Sequence, residues 1–194
     1  MTLAPLHTHS WYSLLDSTLP PERIAEAAHA ARLPAAALAD RDTLAGAVRF
    51  YKRARQLGIH PVLGAEVTLA GGASLVLLIE NRHGYSNLCQ LLTESAVSDR
   101  KPQALEHASQ SPARLNPHGV TPEQLARYSQ GLICLAGARS PVAQALLRGR
   151  TGEEELHQLQ SIYGKNLALE INPSHETALR LARFLVELAR RRRV

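Results

Sequence analysis

The sequence predicts an α/β protein built from repeated strand–helix units. Three observations carry that prediction. Short apolar runs alternate with amphipathic segments about six times along the chain. Prolines stand at expected helix starts, at Pro21, Pro122 and Pro141, where the first turn tolerates a missing N–H. The run Leu75-Val76-Leu77-Leu78-Ile79 is wholly apolar, the pattern of a strand buried on both faces.

The elements follow in chain order. Leu3 to His9 reads as a first strand, and Pro20-Pro21-Glu22 opens a helix that ends near Arg32. Ala35 to Asp40 is a short apolar run ending in an acid, a buried-strand pattern. Thr43 to Leu57 is a helix, because Ala47, Phe50, Ala54 and Leu57 recur at helical spacing and Gly58 stands at the C′ position. Pro61 to Leu69 and Ser74 to Glu80 are strands separated by a Gly71-Gly72 turn. Gly84 to Ala96 is a helix with Tyr85, Leu88, Cys89, Leu92 and Ala96 on one side. The polar stretch 98–119 is broken by Pro102, Pro112 and Pro117 and reads as a surface loop. Thr121 caps a short helix, Gly131 to Ala136 is a strand, and Ser140 caps a helix to about Arg148. Gly152 to Tyr163 is a helix whose acidic start, Glu153 to Glu155, suits the macrodipole. Asn166 to Asn172 is a strand, and Ser174 to Arg192 is a helix with Ala178, Leu181, Leu185 and Leu188 inward. The chain, 1–194, reads as a single domain. A further strand is expected after the last helix, and none precedes Val194.

Composition narrows the function classes. Hydrophobic residues make up 45% of the 194, which excludes global disorder. The net charge is +5, but four positive charges fall in the run Arg190 to Arg193. That run reads as a solvated helix end, so charge alone does not argue for a nucleic-acid face. Cys89 and Cys134 form no CxxC pair and read as buried free thiols of a reducing compartment. There is no basic leader with an apolar core and no membrane-length apolar run. The expectation is a cytoplasmic protein without membrane contact.

The candidate chemistry starts at His7-Thr8-His9. On a strand, residues i and i+2 share a face, so two imidazoles can hold one divalent cation. A bound metal brings phosphoester hydrolysis within reach. In α/β barrels functional residues gather at the C-terminal ends of strands. His7 and His9 end the first expected strand, Asp40 the second, and Glu66 lies in the third. Glu170 lies in the strand before the last helix, and His175 follows soon after. His7, His9, Asp40 and Glu66 are the candidate metal ligands, with His175 a fifth. His29 sits in a helix among alanines and reads as packing or surface, and Trp11 and Tyr12 as cover over the strand ends.

Specific motifs give a resemblance. His7-Thr8-His9-Ser10 with Tyr12-Ser13-Leu14-Leu15-Asp16 resembles the opening of the PHP (polymerase and histidinol phosphatase) domain of bacterial DNA polymerase III alpha subunits. Ala37-Leu38-Ala39-Asp40-Arg41-Asp42, Pro61-Val62-Leu63-Gly64-Ala65-Glu66 and Gly84-Tyr85-Ser86-Asn87-Leu88 are similar to later motifs of that family, in the same order. The resemblance implies a distorted seven-stranded β/α barrel with a metal cluster at one end. Here it implies an incomplete PHP-type barrel of about six of the seven β/α units. An unclosed barrel leaves two sheet edges, so marginal stability or self-association is expected.

By position the family ligands fall on His7, His9, Asp40 and Glu66, with His175 near a family histidine but offset by one. The chain departs from the pattern at Arg41, where a histidine usually follows the acid, at Ser74, where a histidine is frequent, and at Ala138, where a cysteine is. A final Asp-x-His motif is expected beyond Val194. The implied function is the N-terminal PHP domain, as a fragment, of a DNA polymerase III alpha-type DNA-directed DNA polymerase. It would serve DNA replication or error-prone repair synthesis, with a degraded metal site and a structural role. The alternative is a free-standing metal-dependent PHP phosphoesterase or 3′–5′ exonuclease. The implied cofactor is one divalent metal, zinc or manganese, or none. The implied partners are the remainder of the polymerase and other replisome subunits, with DNA met through the parent protein.

Overall fold

Proline sets the start of three helices, as the sequence predicts. Helix α1 spans Pro21–Ala30, α2 Ala47–Gln56, α3 Arg82–Ser98, α4 Pro122–Tyr128, α5 Pro141–Leu147, α6 Glu153–Tyr163 and α7 Glu176–Arg192. The computed structural model describes residues 3–98, 119–171 and 176–192. Residues 99–118 of the expected loop, and His175, lie outside the described residues. Helix α4 carries a capping box: the Gln124 N–H donates to Thr121 Oγ1 and the Thr121 N–H donates to Gln124 Oε1. Ser140 caps α5 by accepting from the Ala143 N–H at 3.2 Å.

The strands are β1 Ala35–Arg41, β2 His60–Thr68, β3 Ser74–Ile79, β4 Leu132–Ala136 and β5 Leu167–Leu169. They stand in the order β1-β2-β3-β4-β5 in a five-stranded sheet, a mixed α/β fold. The apolar run predicted to be buried on both faces is β3, buried from Ser74 to Leu78.

Three expected elements differ from those observed. The segment Leu3–His9 is not among the five strands. The Ala37 N–H donates to Pro5 O at 2.8 Å and the Ala39 N–H to Thr8 O at 2.9 Å. Two steps along β1 are therefore matched by three along the segment, and Pro5 has no N–H to return, so no regular ladder forms. This accounts for five strands among the described residues, where about six strand–helix units were expected. Helix α2 starts at Ala47 instead of Thr43. The Thr43 hydroxyl accepts from the Ala45 N–H at 3.1 Å, a local turn that competes with the helix. The last strand starts at Leu167 instead of Asn166, because Asn166 closes a 3₁₀ turn, Gly164–Asn166, and it ends at Leu169, with residue 172 of the expected strand outside the described residues.

The chain divides into two units. The first takes in Met1–Glu66 with Val76–Ile79. Here β1 and β2 pair in parallel, from Ala35 opposite His60 to Arg41 opposite Glu66. Ile24, Ala25 and Ala28 of α1 pack with Ala36 and Leu38 of β1 and with Phe50 and Ala54 of α2. Phe50 is fully buried, and burial of such a side chain contributes roughly 1.5–3 kcal/mol. Gly64 has no alternative, because a Cβ there would stand 2.5 Å from Leu77 O.

The second unit takes in Val67–Leu75 and Glu80–Val194. Strands β4 and β5 pair in parallel, from Cys134 opposite Leu167 to Ala136 opposite Leu169. Cys134 and Cys89 are both free, Cys134 buried and Cys89 half-buried instead of buried as expected. Burial pushes the Cys134 thiol far above its ordinary range. Glu94 of α3 accepts from Tyr128 Oη at 2.7 Å and from Gln124 Nε2 at 3.1 Å, tying α3 to α4. No described helix is long and apolar enough to cross a membrane.

Candidate metal centre

The site lies within the first unit. Its first element is the pair of imidazoles. Alternation holds along 7–9 although no ladder forms there. Thr8 Oγ1 donates to Ala37 O, while His7 Nε2 and His9 Nε2 approach to 3.2 Å. The two rings meet edge to face, with centroids 5.0 Å apart. Its second element is the parallel register, which sets Arg41 of β1 opposite Glu66 of β2.

These residues converge on one oxygen. Glu66 is 1% exposed, and its Oε2 lies 3.1 Å from His9 Nε2 and 3.9 Å from His7 Nε2. Arg41 Nη2 lies 3.3 Å from the same Oε2 and 2.5 Å from Asp16 Oδ2. Asp16 Oδ2 also stands 3.8 Å from His9 Nδ1. Among the described residues, His7, His9 and Glu66 form the one group able to share a metal ion.

Asp40 meets different partners. It is 1% exposed. Its Oδ1 accepts from the Ser10 N–H at 2.6 Å and from Ser13 Oγ at 2.7 Å, and its Oδ2 accepts from Ser10 Oγ at 2.6 Å. Ser13 Oγ in turn accepts from the Arg41 N–H at 2.9 Å. Asp40 thereby pins the turn that carries Asp16 toward Arg41. Glu170 follows β5 in the second unit, with its carboxylate against Gly137. Ser10, Ser13 and the Asp16 contact went unassigned in the sequence. The available signal was the Ser10-x-x-Ser13 spacing, which sets two hydroxyls on one turn, together with an acid ending a buried strand.

The donor set fits one divalent cation. A ring nitrogen carries either a hydrogen or a lone pair. His9 Nε2 faces both His7 Nε2 and Glu66 Oε2, so one hydrogen there cannot point fully at both. A cation between them satisfies three lone pairs at once. A point equidistant from three atoms with these separations lies about 2 Å from each, and zinc binds nitrogen and oxygen at roughly 2.0–2.2 Å. A second ion is disfavoured. Two-metal sites hold ions roughly 3.5–4 Å apart among several carboxylates. Here the fixed charge of Arg41 already sits on Glu66. At about 4 Å, like unit charges cost roughly 4 kcal/mol at an effective dielectric near 20, and a divalent ion more.

Fold and site together define an α/β protein with a candidate one-cation centre. Residues 5–174 match the family described as the PHP domain, and the chain belongs to that family. It is 38% identical over 161 residues to the error-prone DNA polymerase of Symbiobacterium thermophilum, covering 80% of this chain and 15% of that protein. It is 32% identical over 200 residues to the DNA polymerase III subunit alpha of Chlamydia trachomatis, covering 95% of this chain and 15% of that one. The chain thus spans about 15% of the length of these relatives. Two solved structures share the fold. One is an amidohydrolase from Chromobacterium violaceum, with a TM-score of 0.70 and 17% identity over 98% of this chain and 84% of that one. The other is a candidate metal-dependent phosphoesterase from Bifidobacterium adolescentis, with a TM-score of 0.59 and 16% identity over 95% of this chain and 83% of that one.

Proposed function

We propose that this chain is the PHP domain of a DNA polymerase III alpha-type or error-prone DNA polymerase, with its metal site reduced to a single structural ion. In that larger protein it serves DNA replication or error-prone repair synthesis in the cytoplasm. It works with the remainder of the polymerase and other replisome subunits and meets DNA through them. The relatives support this reading, and the match over 5–174 supports one PHP domain throughout. The observation that carries the structural role is Arg41 on Glu66 Oε2, the oxygen that both imidazoles face.

His7, His9 and Glu66 would hold the ion. Imidazole with carboxylate suits zinc and manganese. When bound, the ion supplies Lewis acidity toward a phosphoryl oxygen. Asp40 acts by holding the Ser10–Ser13 turn, and Asp16 by orienting Arg41. The test is to assay the chain in ZnCl₂ or MnCl₂ on p-nitrophenyl phosphate and on a single-stranded oligonucleotide. No turnover above the metal-only control is expected, and no primer extension. Turnover abolished by His9→Ala would establish the second reading, a free-standing metal-dependent phosphoesterase or 3′–5′ exonuclease. The convergence of His7, His9 and Glu66 favours that alternative.

A further inference from the structure

We infer that Arg41 is a built-in competitor for the cation seat, so that the site exchanges between an arginine-paired form and a metal-loaded form. This rests on the one-cation reading above. Three observations carry it. First, Arg41 Nη2 bonds the same Glu66 oxygen, Oε2, that His9 Nε2 meets at 3.1 Å. Guanidinium and metal draw on the same lone pairs and the same negative charge, so each weakens the other there. Second, the same nitrogen spans two acids, with Asp16 Oδ2 at 2.5 Å. Asp16 is more exposed than Glu66 and is anchored through the Asp40 turn. It can keep the guanidinium when Glu66 turns to a metal ion. Third, Arg41 Nε is buried without a hydrogen-bond partner. An arginine placed for fixed bonding spends that donor. Here the bonds to Glu66 and Asp16 both run through one terminal nitrogen, Nη2, so the guanidinium can leave Glu66 while Asp16 keeps it. The Arg41 backbone stays tied to Ser13 Oγ throughout, which confines the exchange to the side chain.

The exchange makes opposite demands on two measurements. Removing the guanidinium charge should strengthen cation binding and weaken the metal-free fold. The experiment uses the 194-residue chain with ZnCl₂ as the probe. It compares the native protein, Arg41→Met, Arg41→Gln and His9→Ala by isothermal titration and by thermal melting in EDTA and in zinc. Both Arg41 variants should bind zinc about tenfold tighter or more. Their melting temperatures in EDTA should fall below the native value, and zinc should raise them by more than it raises the native chain. If Arg41→Met does not fold in EDTA, Arg41→Gln, which keeps a neutral polar group on a shorter side chain, carries the test. Arg41 variants that bind zinc no tighter than the native chain, with binding abolished by His9→Ala, would overturn the competition and leave the cation site standing. Zinc binding that is absent from every variant, or indifferent to His9→Ala, would overturn both.

Discussion

Two acids on neighbouring strands of one unit, both 1% exposed, have opposite bonding. Asp40 receives three hydrogen bonds from Ser10 and Ser13, all between 2.6 and 2.7 Å. Glu66 faces two imidazoles and a guanidinium that crowd one of its oxygens. The first carboxylate is satisfied by neutral donors within its own unit. The second is surrounded by groups whose protons and charges cannot all be satisfied at once, the arrangement that the proposed cation would relieve. Burial and residue type are the same in kind, so the partners decide the role.

Substitutions can break this contrast. The largest effect is expected at Asp40→Ala. It strands the Ser10 N–H and two serine hydroxyls in a buried setting, with a loss of about 3–5 kcal/mol by urea denaturation. If Asp40 were only a metal ligand, the loss would appear in zinc affinity and not in metal-free stability. Glu66→Gln is expected to cost less in metal-free stability, about 1–3 kcal/mol, because Arg41 retains Asp16. Zinc titration should nevertheless show its affinity falling by about tenfold or more, since the one anionic ligand is gone. His7→Ala should act on metal binding alone, leaving the metal-free melting curve within about 1 kcal/mol of native, since His7 is part-exposed.

The smallest effect concerns an acid in the second unit. Hydrogen bonds from Tyr128, then Gln124, hold the Glu94 carboxyl below the ordinary carboxylate range. A lowered folded pKa contributes stability that is complete above the unfolded value of about 4.5 and is lost as pH falls through the folded value. Glu94→Gln should therefore be less stable than native at pH 6. The gap should close as the medium is acidified below about pH 4.5, measured by urea melts across the range. A gap independent of pH would remove the charge from the account.

Much of the architecture was legible from local rules. Proline at the first turn located α1, α4 and α5, and Thr121 with Gln124 signalled the capping box. Continuous apolarity marked β3, because a strand covered on both faces has no polar side to display. The His7–His9 pair was legible from alternation. The segment that holds it was misread as a strand, because apolar alternation does not reveal whether the N–H groups can reach a partner. Pro5 and the three-for-two spacing against β1 prevent that. Arg41 was legible as a departure beside the candidate ligands, but its simultaneous contact with Asp16 and Glu66 was not.

By itself the sequence determined the menu: two imidazoles two residues apart, an acid at the end of a buried run followed by arginine, and a second acid on the next strand. Tertiary structure alone decided which of these meet. Glu66 reaches His9 because parallel pairing of β1 and β2 carries residues distant in the chain to one edge. Asp40, adjacent to Arg41 in sequence, is taken by Ser10 and Ser13. Local periodicity dictates which side of an element a residue occupies, whereas register and loop closure choose its partner. That choice depends on contacts across the whole unit, which no short stretch of sequence encodes.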